Sequence, residues 1–267
     1  SLRFSRFIYN SCVSAVFRIK YKKVLFSIWI IMAELYVIGT PIGNLGDITL
    51  RAIETFKNVD FVACEDTRHT LQLLNHLEIK KPLISCRAQN EKQVSEKIIQ
   101  LLCEGKSVAY ASDAGTPGIS DPGAVLCDCV REAGYNVVPI PGASAFATLV
   151  SVAGAGGKTL IFEGFLSPKP GRRRSRVKEL MASGAAVIIY ESPFRIVKLL
   201  TDIADTDSNR RIVVGRELTK LHEEITSGSA KEVLDNYASR QSIKGEFAVF
   251  IAGDKNSIQN SEDSADN

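Results

Sequence analysis

Histidine, tryptophan and methionine are scarce in this 267-residue sequence, at three, one and two residues. His69, His76 and His222 show no metal-binding spacing, and His69 and His76 stand seven apart on a predicted helix, so no metal is expected. The six cysteines, Cys12, Cys64, Cys86, Cys103, Cys127 and Cys129, contain no C-x-x-C pair and are scattered through apolar runs. That excludes the disulfide framework of a small secreted protein and points to a reducing cytoplasm. Cys127 and Cys129, with only Asp128 between them, have no third ligand nearby and read as buried thiols. No apolar run reaches the roughly 20 residues of a membrane-crossing helix; the stretch Val24 to Ile31 is far shorter. Charge of one sign is also missing, with 33 basic against 30 acidic residues.

Even that small excess is local. Residues 1–33 hold six lysines or arginines and no acid; without them 27 basic face 30 acidic side chains, and the formal +3 becomes −3. The balance is therefore no sign of nucleic-acid binding, and any basic surface must be confined to a patch. With no A-x-A-like cleavage site before Glu34, and Met32 immediately ahead of the first regular strand, residues 1–33 read as an upstream leader or expression-derived extension. A weak interfacial anchor is the second reading of that segment.

What is present is a 45% hydrophobic chain with the rhythm of an α/β protein. Strand Leu35 to Ile38 is followed by a helix that Asp47 can cap, with Ile48, Ala52, Ile53 and Phe56 on one face, and then by a strand over 59–64. Val94, Ile98, Leu101 and Leu102 mark a helix before strand 107–111, and Val125, Cys129 and Val130 another before strand 136–140. Such alternation predicts βαβ units and a mainly parallel sheet. Gly154 to Gly157 supply a flexible break, which divides an N-terminal domain, 34–153, from a C-terminal one, 158–253. Strands there are expected at 159–163, 185–190, 211–217, 223–227 and 247–251. Five residues, Leu218 to His222, cannot hold a crossover helix, so the strands they join are antiparallel and the second sheet is mixed. Residues 254–267 are polar and acidic and read as a disordered tail.

Three glycine- and proline-rich connections follow predicted strands. The first, Gly39 to Gly46, resembles a dinucleotide-binding turn only superficially, because its glycines sit at intervals of four and three and Pro41 removes an amide where a phosphate cradle needs one. The second, Ser112 to Gly123, enters a helix at about Asp121, with Pro122 at its first position. The third is Pro139 to Ala145. Loops at strand ends are where open α/β sheets bind ligands, and small residues let backbone groups approach closely. Taken singly, each loop also reads as a rigid strand-to-helix connection.

The strings Ile38 to Asp47, Glu65-Asp66-Thr67-Arg68, Ser112 to Gly123, Pro141 to Ala145, Tyr190-Glu191-Ser192, Arg216 to Lys220 and Lys244 to Phe247 together resemble the ribosomal-RNA small-subunit 2′-O-ribose methyltransferases of the tetrapyrrole-methylase-like group. The resemblance runs colinearly from about Glu34 to Gly253. It implies two α/β domains with S-adenosylmethionine in the cleft between them, a homodimer, and a cytidine ribose of 16S ribosomal RNA in the 30S subunit as acceptor. By position it assigns Ile42, Asp113, Ala114, Gly115, Thr116, Ile119, Ser144 and Ala145 to the cofactor from the first domain, and Glu191, Leu218 and Gly245 from the second. Family members with a further C-terminal helical segment have been thought to use it on RNA; this chain continues instead into its polar tail.

Methyl transfer to a weakly acidic hydroxyl calls for in-line positioning and for a carboxylate or desolvated lysine that takes the proton. The candidates at motif positions are Glu65, Asp66, Glu191, Glu217, Lys220 and Glu246, with Arg68 and Arg216 for phosphate or orientation. Lys220 and Glu217 are favoured, with Glu65 and Arg68 behind them. Each also has a plain reading as a charge paired across an interface. Arg172, Arg173, Arg174 and Arg176 form a basic cluster that can neutralise RNA phosphates, or simply be a solvated helix face. A tetrapyrrole methylase and a noncatalytic ligand- or RNA-binding module are the competing functions.

Overall fold

The computed structural model describes residues 33–154 and 157–254. The leader (Ala33 excepted), residues 155–156 of the flexible break, and the tail beyond Asp254 lie outside the described residues.

The first half runs β1(Leu35–Ile38), a single 3₁₀ turn over Leu45–Asp47, α1(Leu50–Asn58), β2(Phe61–Cys64), α2(Thr67–His76), β3(Leu83–Ser85), α3(Glu91–Cys103), β4(Val108–Ala111), α4(Ala124–Glu132), β5(Val137–Ile140) and α5(Ala145–Ala153). Its five strands are all parallel, in the order β3-β2-β4-β1-β5. Alternate side chains feed two cores: Val108 and Tyr110 of β4 pack on one face with Ile98, Leu102, Leu126 and Val130, while Ala109 and Ala111 pack on the other with Phe56 and Leu74. Both faces are therefore covered, as a parallel sheet requires.

Two helix starts differ from the sequence expectation. Asp47 caps nothing: Thr49 is the cap of α1, its hydroxyl accepting from the Ala52 amide at 3.1 Å, and Ile48 stays outside the helix. Asp121 does not cap α4 either, and Pro122 is not its first residue. The start is displaced to Gly123, and the buried carboxylate of Glu91, on α3, accepts from the Gly123 and Leu126 amides, both at 2.9 Å. A side chain distant in sequence thus satisfies donors that a local cap would normally hold.

The second half runs β6(Leu160–Phe165), α6(Pro170–Ala182), β7(Ala186–Glu191), α7(Ile196–Thr206), β8(Arg211–Arg216), β9(Glu224–Ser229), α8(Ala230–Ala238) and β10(Phe247–Ile251). The sheet is mixed, ordered β6-β7-β10-β8-β9, with β6 and β7 parallel and the other pairs antiparallel, including the short-linked β8 and β9. Every residue of the central strand β10 is buried. Phe247, Val249 and Ile251 pack under α6, α7 and α8, while Ala248 and Phe250 face Leu149 and Ala153 of α5. Helix α5 precedes the break at 154–157 yet covers the second sheet, so the break in composition and the boundary of packing do not coincide.

Candidate active site

The three small-residue loops leave β4, β1 and β5, which are neighbours in the sheet, and so emerge side by side at one edge. They are bonded into one floor. Thr40 and Gly115 exchange backbone hydrogen bonds of 2.9 and 3.1 Å, and the Thr116 hydroxyl donates to the Ala143 carbonyl at 3.2 Å. The loops after β1 and β5 touch directly: a Cβ on Gly142 would lie 2.2 Å from the Gly39 oxygen, so only glycine fits there.

Above this floor, between the two sheets, is a cavity of about 370 Å³. Ile42, Ala114, Gly115, Thr116 and Ile119 line it from the loops after β1 and β4, and Ser144 and Ala145 from the start of α5. Glu191 and Leu218 face it from the second half, beside Phe165, Tyr190 and Phe247. Phe162, Phe165 and Tyr190 stand edge to face, with ring centroids 5.0 Å and 5.8 Å apart for the two pairs that Tyr190 makes. This gives the second half of the site a stiff aromatic wall.

Two residues assigned to the cofactor by resemblance do not line the cavity. Asp113 turns toward the end of β2, where its carboxylate accepts from the Asp66 amide at 2.8 Å and meets His69 Nδ1 at 3.4 Å. It ties two loops together. Gly245 lies behind the wall against the Glu217 side chain, and the next three residues, Glu246, Phe247 and Ala248, face inward instead.

Glu191 is 1% exposed. Its Oε1 accepts from the Ser192 amide and from Arg195, both at 2.7 Å, while Oε2 has no partner among the described residues. An unsatisfied buried carboxylate oxygen costs free energy unless a ligand supplies a donor.

The favoured proton acceptors are arranged differently from the expectation. Lys220 Nζ lies 3.0 Å from Glu217 Oε1 and 3.0 Å from Glu246 Oε2. Partial burial pulls its pKa down, but the two carboxylates outweigh this and raise it, so Lys220 stays an ammonium and cannot take a proton. Burial likewise works against ionisation of Glu217, yet the hydrogen bond from the Glu246 amide and the Lys220 charge hold its carboxyl below the ordinary range. Both are locked into the β8–β9 turn. Glu65, at the end of β2, is pushed up by burial and by the Asp113 and Asp121 carboxylates, but it does not line the cavity. Arg68 is 83% exposed at its side chain, bound to Asp66 of its own helix cap, and is likewise absent from the cavity wall.

Asp121, which its place before Pro122 marks as a helix start, instead faces the cavity. Phe165 carries no motif beyond its place at the end of β6, and Tyr190, although part of the Tyr190-Glu191-Ser192 string, is assigned no role there.

The basic cluster divides. Arg173 is buried, with its Nε 2.5 Å from the buried Asp202 carboxylate, and is unavailable to RNA. On α6 it shares a face with Val177, Leu180 and Met181, which are core residues. Arg176 is held by Glu163 and Glu179. Arg172 and Arg174 are exposed, alongside Lys169 and Lys178.

Comparisons with known proteins agree with this architecture. The family Tetrapyrrole (Corrin/Porphyrin) Methylases matches residues 34–234. A protein of Borrelia garinii subsp. bavariensis named ribosomal RNA small subunit methyltransferase I is 43% identical over 82% of this chain and 98% of its own length. One of the same name from Thermotoga maritima is 44% identical over 83% of this chain and 99% of its own, and one from Bacillus subtilis is 40% identical over 84% and 77%. Among solved structures, the cobalamin biosynthetic enzyme cobalt precorrin-4 methyltransferase superposes with a TM-score of 0.59 at 16% identity, over 82% of this chain and 94% of that one. It shares the fold.

Proposed function

The chain belongs to the tetrapyrrole methylase family, among the ribosomal RNA small subunit methyltransferase I proteins, and on that basis we propose that it transfers a methyl group from S-adenosylmethionine to the 2′-oxygen of a cytidine ribose in 16S ribosomal RNA. The observation that carries the choice of acceptor is the 40 to 44% identity to these relatives over most of the chain, against 16% to the tetrapyrrole enzyme. The cavity suits the donor. Its floor offers backbone groups of Ala114 and Thr116, its wall is aromatic, and Glu191 Oε2 offers an unused acceptor to an ammonium, amino or hydroxyl donor. When bound, S-adenosylmethionine supplies an electrophilic methyl on a sulfonium. Glu191, Ile42, Leu218 and the loop floor would hold it.

In this reading the acceptor is presented by the 30S subunit, and the exposed Arg172 and Arg174, with Lys169 and Lys178, contact its phosphates. The enzyme works as a homodimer in the cytoplasm, a reducing compartment that suits its free cysteines. Among the described residues no helix is long and apolar enough to cross a membrane. The test is incubation with methyl-labelled S-adenosylmethionine and, separately, 30S subunits, free ribosomal RNA and tetrapyrroles, followed by mapping of the label. A 2′-O-methylcytidine in 16S RNA is the expected product. Label in a tetrapyrrole alone would overturn the RNA reading, and absence of cofactor binding would overturn methyl transfer altogether.

A further inference from the structure

Four titratable side chains face the cavity: Asp121, Tyr190, Glu191 and Glu246. Three are already engaged. Glu191 is paired with Arg195 at 2.7 Å, Glu246 with Lys220 at 3.0 Å, and burial keeps the Tyr190 phenol protonated. Asp121 differs. Among the described residues no lysine or arginine pairs with it, and the groups around it are the carboxylates of Asp113, Glu65 and Glu246, the phenols of Tyr110 and Tyr190, and the Ser112 hydroxyl. Burial, followed by Asp113 and Glu246 and opposed by Ser112, raises its pKa above the usual aspartate value. A half-buried carboxylate without a cation is a stronger base than one in an ion pair.

The backbone fixes its direction. Ser120, just before it, has a φ of 72°, a left-handed conformation that non-glycine residues seldom adopt. Its hydroxyl rests against Gly164 of β6, where an added Cβ would come within 2.9 Å. The loop after β4 is thereby braced on the second sheet, and the Glu91 cap holds its far end. Asp121 sits between these two anchors.

We propose that Asp121 is the general base: its carboxylate takes the proton of the attacking ribose hydroxyl. As the oxygen–carbon bond forms, the carbon–sulfur bond breaks with its electron pair left on sulfur, and the O–H proton passes to Asp121, which returns it to solvent after product release. The positive sulfonium and the negative carboxylate both become neutral, so charge and atoms balance. This inference rests on the reading of the chain as a ribose methyltransferase.

The test compares wild type, D121N and D121S for single-turnover methylation of unmodified 30S subunits across about pH 5 to about pH 9, with the affinity for S-adenosylmethionine measured by calorimetry on the same samples and folding checked by thermal melting. D121N is expected to lose at least about 100-fold in rate while its cofactor affinity stays within about threefold, and the rise of rate with pH seen in wild type is expected to vanish. D121S guards against a folding defect peculiar to the amide. A rate for either folded variant within about fivefold of wild type, or a loss of rate matched by an equal loss of cofactor affinity, would overturn the assignment. Wild type that binds S-adenosylmethionine yet methylates no 30S subunit would overturn the proposed function, and this inference with it.

Discussion

Gly43, in the loop after β1, lies so close to Lys220, in the turn between β8 and β9, that a Cβ on Gly43 would sit 2.3 Å from Lys220 Cγ. The aliphatic stem of a second-sheet lysine thus covers a first-sheet loop, while its ammonium is held by Glu217 and Glu246. Lys220 is a clamp between the halves of the molecule.

Gly43→Ala is therefore expected to destabilise the fold by about 1 to 3 kcal/mol, since the added methyl has no room. In a double-mutant cycle, Lys220→Ala should recover part of that loss, giving a favourable coupling term. Denaturant melts of the four proteins check it; additive effects would show that the contact is not what limits position 43.

Arg173 and its neighbours should behave as opposites. Arg173→Ala leaves the Asp202 carboxylate buried without its partner, and a loss of about 3 to 5 kcal/mol in stability is expected. Arg172→Ala with Arg174→Ala should leave the melting curve in place but weaken RNA binding and reduce the slope of log affinity against log salt by about 1.4 to 1.8. An unchanged slope in the double variant would remove this face from the RNA contact.

Stability in acid should depend on Glu224. The Arg240 hydrogen bonds lead the causes that bring its carboxyl from 4.5 to about 2. A pKa lowered by folding stabilises the protein fully above the unfolded value and ceases to do so as pH falls through the folded one. Because the pair is partly exposed, the contribution is about 1 to 2 kcal/mol after screening. Glu224→Gln should thus be less stable than wild type at pH 7, with the gap closing between pH 4.5 and about 2. A gap of constant size over that range would assign the effect to packing.

Glu91 is expected to matter to a loop far from it in sequence. Glu91→Ala leaves the Gly123 and Leu126 amides without their acceptor, at a cost of about 1 to 3 kcal/mol. Amide exchange over 112–126 should quicken more than exchange over β10. Uniform acceleration throughout the chain would point to global destabilisation alone.

Much of the fold was legible. The short apolar, β-rich runs over 35–38, 107–111 and 247–251 and the helical spacing of Val94, Ile98, Leu101 and Leu102 are local signals, readable within a few residues. Strand β3 was not, because three residues at a sheet edge are too short for any alternation to show. The inward turn of Arg173 had a signal that charge obscured: it stands four, seven and eight residues from Val177, Leu180 and Met181, one stripe of a helix. The site was legible as three small-residue loops.

The α/β alternation, the mixed second sheet implied by a five-residue link, and the strand-end loops that become the cavity floor are all written in local residue order. Which charges face that cavity follows from long-range packing. Asp121 faces the cavity, and Glu91, some thirty residues away, caps α4 in its place; Lys220 stays protonated because Glu217 and Glu246 converge on it; α5 closes the second sheet rather than the first. Local patterns fix local conformation, whereas the protonation and direction of a side chain depend on partners that only folding brings within hydrogen-bonding distance.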